Sequence, residues 1–211
     1  MHNVTVAFAV LLVMLLSYFF GCFNGSFMVS HFIIRDDVRK HGSGNAGLTN
    51  FYRTYGAKYA LLVIACDMGK TVAACLLGSF FFRCLGWDGT LGTLLAGLGC
   101  ELGHIFPVFY GLRGGKGILS GGTIVWMIDW RIGLVVWVGF LLLFLLTKYV
   151  SLGSVWAGAS FPFATWYFYP DPVIVLLAFL LGVLILWKHR SNIVRLIHGN
   201  ENKFSVHRKK N

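Results

Sequence analysis

Seven apolar runs, at about 4–34, 57–82, 90–110, 117–128, 131–147, 150–168 and 172–198, are separated only by short polar connections. No other feature restricts the possible folds so far. A helix needs about 20 apolar residues to cross the hydrocarbon of a bilayer, and in lipid it satisfies its own backbone hydrogen bonds as it does so. With 57% hydrophobic and 12% charged residues in 211, the chain carries more apolar surface than a soluble core of that size can hide. The expectation is an all-α fold, a polytopic membrane helix bundle with seven transmembrane helices, the fourth short and the last amphipathic towards its end. One domain covers 1–201, and a basic tail at 202–211 reads as a frayed, solvated end. The first run lacks a basic n-region and a small-residue cleavage site, so it reads as a retained span.

The formal charge of +10 follows the loops. With the N-terminus outside, one side of the membrane receives Arg35, Arg39, Lys40, Arg53, Lys58, Arg113, Lys116, Lys148 and the basic stretch from Lys188 to Lys210, and the other only Arg83 and Arg131. Basic loops stay in the cytoplasm, which predicts N-terminus out and C-terminus in and accounts for the charge without nucleic acid. Cys22, Cys66, Cys75, Cys84 and Cys100 lie in or beside apolar runs without C-x-x-C spacing and read as small apolar residues. No ligand cluster calls for a metal.

Three polar clusters interrupt the apolar pattern. The first runs from Arg39 to Arg53 and includes Gly42-Ser43-Gly44-Asn45-Ala46-Gly47-Leu48-Thr49-Asn50. Its glycines let backbone N–H groups turn towards an anion, and Ser43, Asn45, Thr49 and Asn50 add side-chain donors. The second joins Gly103-His104-Ile105-Phe106-Pro107 to Gly111-Leu112-Arg113-Gly114-Gly115-Lys116-Gly117. It lacks the spacing and the following Ser or Thr of a Walker A loop, so it reads as a lysine in a glycine turn suited to a phosphate monoester. The third, Lys188 to Arg195 with Gly199-Asn200-Glu201, places Lys188, Asn192 and Arg195 near one helical face, with His189 beside Asn192. Each alone also reads as a flexible loop or a lipid-facing anchor.

Two further spacings stand outside these clusters. His31 and Asp36 have the H-x-x-x-x-D spacing of peripheral glycerolipid acyltransferases, but they fall at the end of a span and read as coincidence. Asp67 and Lys70, three apart inside the second apolar run, read as a structural pair. The remaining acids look scattered, with none placed as a general base.

Together the three clusters closely resemble the signature motifs of the bacterial acyl-phosphate:glycerol-3-phosphate acyltransferase family, PlsY, over about residues 21–204. The resemblance implies a multi-pass enzyme of the bacterial cytoplasmic (inner) membrane with its active site on the cytoplasmic face. It would act as a monomer in membrane lipid, without a cofactor. The reaction implied moves an acyl chain from acyl phosphate to the 1-hydroxyl of glycerol 3-phosphate, giving lysophosphatidic acid and phosphate. Matched motif by motif, Arg53, Lys116, Ser154, His189 and Asn192 fall on the family's glycerol-phosphate contacts, and Ser43 to Asn50 on its loop for the acyl-phosphate headgroup. Lys116, His189 and Arg53 are then expected to be catalytic, and Ser43, Gly44, Asn45, Gly47, Thr49, Asn50, His104, Gly114, Gly115, Ser154, Asn192, Arg195 and Glu201 to bind substrate. Leu48 and Gly21-Cys22 depart from the usual alanine and Gly-Ser of the family.

For proton removal, two routes are open at this point: the donor's own phosphate oxygen, or His189 or His104 as base. The competing class is a membrane transporter of a phosphate ester or small anion. Such carriers place polar residues at the bilayer midplane, often in repeated halves, whereas here they gather at loops and no repeat is visible.

Overall fold

The computed structural model describes residues 2–205, with side chains from residue 4 onward; the basic residues Arg208, Lys209 and Lys210 of the expected tail lie outside the described residues. The helices are α1 (His2–Cys22), α2 (Gly25–Met28), α3 (Leu48–Tyr55), α4 (Ala57–Cys84), α5 (Gly89–Ile105), α6 (Ile118–Ile128), α7 (Trp130–Thr147), α8 (Val150–Phe168), α9 (Pro172–Lys188) and α10 (Arg190–Ile197). A π-helical turn, Val29–Ile34, and short 3-10 turns at Val38–Lys40 and Val108–Tyr110 fill the connections. Every apolar run of the sequence is therefore helical. Four stretches are long and apolar enough to cross a membrane, at Val4–Ile34, Ala57–Cys84, Gly89–Tyr110 and Trp130–Thr147; the α9–α10 pair, bent by 60°, makes a fifth if it counts as one span. Of the other two runs, α6 is 11 residues, roughly 16 Å, and α8 dilutes its apolar face with Ser151, Ser154, Ser160 and Thr165.

Helix α5 is the central post, because its small residues let neighbouring backbones close on it. A Cβ on Gly103 would collide with the Tyr18 carbonyl of α1, one on Gly99 with the Met14 carbonyl, and one on Gly92 with the Gly78 carbonyl of α4. In lipid, where apolar side chains gain little by leaving the solvent, such close approach is what drives helix association. Leu94, Ala96, Ile124, Ile132, Phe161, Ile174 and Leu181 fill the centre of the bundle, while Leu61, Leu77, Leu146 and Phe163 point outward, as lipid-facing residues should.

The first run is broken at Phe23–Asn24, between α1 and α2. Asn24 caps α2 by accepting from the Phe27 amide at 2.9 Å, and its Nδ2 donates to the Ala46 carbonyl at 3.0 Å. The break frees the carbonyls of Gly21 and Phe23, and Lys70 Nζ donates to both at 3.1 Å. Asp67, 2.7 Å from the same ammonium, accepts from the Gly25 amide at 3.0 Å. The pair expected from the sequence is present, and its role is to satisfy the broken span.

At one end of the bundle the connections meet through Tyr169, whose hydroxyl donates to Asp88 at 2.8 Å, and through the Arg131 guanidinium over the Phe168 ring. The opposite end carries the polar clusters. There the chain beyond α10 is docked, in contrast to the expected frayed end. Phe204 stacks on Tyr52 and meets Phe144 edge-on, its amide donates to the Lys148 carbonyl at 2.8 Å, and the Asn202 carbonyl accepts from Arg53. The aromatic at 204 decides this, since it buries apolar area that a purely basic tail lacks.

Replacing Gly103 with Ala is expected to destabilise the detergent-solubilised protein by about 1–3 kcal/mol through overpacking, read as a fall in thermal unfolding temperature. The control is Gly69→Ala in α4, where an added Cβ meets nothing within 4 Å and stability should hold or rise.

Candidate active site

The first cluster is a built loop. Asp37 holds Arg39 through both carboxylate oxygens, with a closest distance of 2.9 Å. Asn50 is enclosed by the loop: its Oδ1 accepts from the Ser43 amide at 2.9 Å and its Nδ2 donates to the carbonyls of Val38 and His41. Asn50 thus shapes the loop, leaving Ser43, Asn45, Thr49 and the start of α3 to face the cavity.

The second cluster folds back on the end of α5. Gly114 and Gly115 donate their amides to the carbonyls of Ile105 and His104, at 3.2 and 3.1 Å. No side chain fits at either glycine, since a Cβ would run into those same carbonyls or the His104 ring. Gly117, at φ 80°, turns the chain into α6 directly above Glu101, whose carboxylate occupies the space a Cβ would need. This turn presents Lys116 to the Oδ1 of Asn192. The third cluster completes the site. Asn192 donates to Glu201 Oε1 at 2.9 Å, and Arg195 pairs with Glu201 Oε2 at 2.7 Å. The 60° bend at His189 separates Lys188 from this group; it lies over the rings of Phe106 and Trp187, contrary to the shared helical face read from the sequence.

These elements enclose a cavity of about 510 Å³. Ser43, Asn45, Gly47, Thr49, Asn50, Arg53, His104, Lys116, Ser154, His189, Asn192, Arg195 and Glu201 all line it, so nearly all the expected site residues converge. Gly44 instead lines a separate cavity, and Gly114 and Gly115 lie behind the wall with their amides committed to the turn. Leu48, Ile118, Leu119, Trp137, Phe140 and Val150 add an apolar part to the lining, beside the polar Asp67, Ser151 and Asn202. Among the described residues, Glu201 pairs with Arg195 and Asp67 with Lys70, while Arg53 and Lys116 have no carboxylate partner. Burial, helped by the neighbouring Arg195 charge, lowers the Lys116 ammonium to a pKa of about 8.

Two imidazoles face the cavity with opposite hydrogen-bonding polarity. The Nδ1 of His104 lies 2.9 Å from Lys70 Nζ and 3.5 Å from Asp67 Oδ1; an ammonium only donates, and the shorter contact makes this nitrogen the acceptor and leaves the ring proton on Nε2. The Nδ1 of His189 lies 2.8 Å from the Ile185 carbonyl; a carbonyl only accepts, so here Nδ1 carries the proton and Nε2 is the acceptor. The Ser154 hydroxyl donates to the Val150 carbonyl at 2.9 Å, which leaves its oxygen free to accept at the cavity wall. The His31/Asp36 spacing is not a site: His31 stacks on Phe27, and Asp36 pairs with His41 at 2.8 Å.

Sequence reasoning missed Asn24, which ties the first loop to the broken span, and Glu101, whose carboxylate is fully buried under Gly117. The signal for Glu101 was an acid three residues before His104 on the same helix.

A many-pass helical bundle with a cavity lined by loop cations on one part of its wall and apolar side chains on another defines a membrane protein that handles a phosphate-bearing amphiphile. A family profile described as glycerol-3-phosphate acyltransferase matches residues 11–199. The glycerol-3-phosphate acyltransferase of Finegoldia magna is 42% identical over 187 residues, 88% of this chain and 91% of the relative; that of Thermoanaerobacter pseudethanolicus is 36% identical over 189 residues, 90% and 92%. A crystal structure of PlsY, an integral membrane glycerol 3-phosphate acyltransferase, in its glycerol 3-phosphate form superposes with a TM-score of 0.83 at 31% identity, covering 93% of this chain and 96% of that one. Its lysophosphatidic acid form gives 0.81 at 30% identity, covering 93% and 95%. The chain belongs to the glycerol-3-phosphate acyltransferase family, and the transporter reading falls.

Removing the Asp67 carboxylate leaves Lys70 buried without its counter-ion. Asp67→Ala is expected to cost about 3–5 kcal/mol, measured by thermal unfolding in detergent, and Asp67→Ala with Lys70→Met should recover part of that loss.

Proposed function

We propose that the chain transfers an acyl group from acyl phosphate to the 1-hydroxyl of glycerol 3-phosphate, releasing 1-acylglycerol 3-phosphate and inorganic phosphate. The observation that carries this reading is the single cavity in which all three polar clusters meet an apolar lining. The substrates bring two phosphates and one acyl chain. The Ser43–Asn50 loop suits the donor phosphate, the apolar side from Trp137 to Val150 suits its chain, and Lys116, Asn192 and Arg195 suit glycerol phosphate. The reaction fits a monomer in the bacterial cytoplasmic membrane, with a single domain at 1–201. Seven spans, N-terminus out and C-terminus in, are supported by the helicity of all seven apolar runs and by the separation of Arg131 from the polar end.

In the proposed step, the glycerol oxygen attacks the acyl carbonyl carbon, the carbon–oxygen bond to phosphate breaks, and the electron pair leaves with phosphate. Lys116 and Arg53, without carboxylate partners, stabilise the charge on phosphate and the developing oxyanion. Phosphate is a good leaving group, so the enzyme's main contribution is orientation. The hydroxyl proton passes to an oxygen of the departing phosphate. His104 serves as a donor, its Nδ1 being occupied by Lys70, and His189 Nε2 accepts from a glycerol hydroxyl and positions it. Glu201 orients Asn192 and Arg195.

The test is purified protein in detergent, given acyl phosphate and labelled glycerol 3-phosphate, with phosphate release followed. Lys116→Ala should reduce turnover by roughly 10²–10³-fold, the scale of losing one charge-stabilising donor; no release by the wild type, or unchanged release by the variant, would count against the reaction. His189→Gln should raise KM and spare most of kcat, whereas intact binding with abolished turnover and a lost pH limb would make His189 the base.

Lys116 acts in its charged form, and its pKa is lowered to about 8. The charge is present below that value and lost as pH rises through it, so kcat/KM for glycerol 3-phosphate should decline above about pH 8. Bound phosphate favours the ammonium and should move the same limb of kcat to higher pH.

A further inference from the structure

On the other side of the first loop lies a second cavity, of about 710 Å³, to which the proposed transfer assigns no role. Gly44 is in its wall, while the flanking Ser43 and Asn45 line the first cavity. Arg39, Lys40 and Arg113 contribute cations, and Asp37 is the one carboxylate. Asp37 is held by Arg39, so Lys40 and Arg113 face the space as exposed charges. The remaining wall is aromatic, with Phe27, Phe109 and Tyr110; the Arg39 guanidinium sits 4.6 Å over the Phe27 ring and also donates to the Tyr110 carbonyl.

The aromatic wall continues out of the cavity. Phe109 packs against Phe23 and Phe19 of the first span, with ring centroids 6.3 and 6.2 Å apart, and all three rings are exposed. A cationic recess at the polar end of a membrane bundle thus opens onto a strip of outward-facing aromatics running along α1. A free phosphate would use only the recess; an anionic lipid would use both parts, its headgroup phosphate on the cations and an acyl chain along the rings.

We propose that this second cavity binds an anionic phospholipid, distinct from the substrates, through its headgroup phosphate at Lys40 and Arg113. The loop that shapes one wall of the first cavity is then also shaped by lipid from behind.

The experiment is native mass spectrometry of the delipidated protein in detergent with phosphatidylglycerol, phosphatidylcholine or inorganic phosphate added. The wild type should retain phosphatidylglycerol in preference to phosphatidylcholine. Lys40→Ser with Arg113→Ser should weaken that retention about 30-fold, the effect of two basic residues near a lipid phosphate. Both side chains are exposed and outside the first cavity, so phosphate release in detergent should continue and show that the variant is folded. Equal retention of the two lipids, unchanged retention by the variant, or displacement by inorganic phosphate at concentrations comparable to the lipid would each overturn the proposal.

Discussion

A buried ammonium holds this architecture together. Lys70 lies inside a membrane helix, where a charge is costly, and it is accommodated because four acceptors converge on it: Asp67, the carbonyls of Gly21 and Phe23, and His104 Nδ1. Two of these exist because the first span is broken. The break in turn allows α2 and the loop beyond it to fold over α4, and Asn24 carries the connection on to Ala46 in the first polar cluster. The cavity stands on helices that this charge ties together at the break.

The same network separates structural from chemical roles among residues that look alike in sequence. His104 and His189 are both buried imidazoles at the cavity, yet one is held as a donor by an ammonium and the other as an acceptor by a carbonyl. Asn50 and Asn192 are both amides in polar clusters, yet Asn50 is fully engaged within its loop while Asn192 links Lys116 to Glu201. Arg53 and Lys116, the cavity cations without carboxylate partners, are left to meet an anion, while Arg195 is held by Glu201.

Much of this was legible in the sequence. Apolar runs of span length become helices because lipid leaves the backbone few alternatives, and the three clusters converge because they occupy connections at one end. The unread parts depended on long-range geometry. The break at Asn24 sits in a run apolar enough to pass as one helix, and the 60° bend at His189 moved Lys188 away from Asn192. Gly114 and Gly115 looked like anion-binding amides, but their N–H groups are taken by α5 carbonyls, which no local pattern announces. Phe204 was overlooked because charge dominates its neighbourhood, although one aromatic was enough to dock the chain.

The broken first span also bears on how the protein is made. A span leaving the ribosome first normally needs nothing from later segments to complete its hydrogen bonds. Here the Gly21 carbonyl awaits an ammonium 49 residues further along the chain, and the histidine that shares that ammonium arrives later still, on α5. Until α4 has been delivered, the kink in the first span leaves polar backbone without its partner. Insertion order is therefore written into the fold: the earliest helix can enter the bilayer promptly, but it reaches its final shape only when a later one joins it.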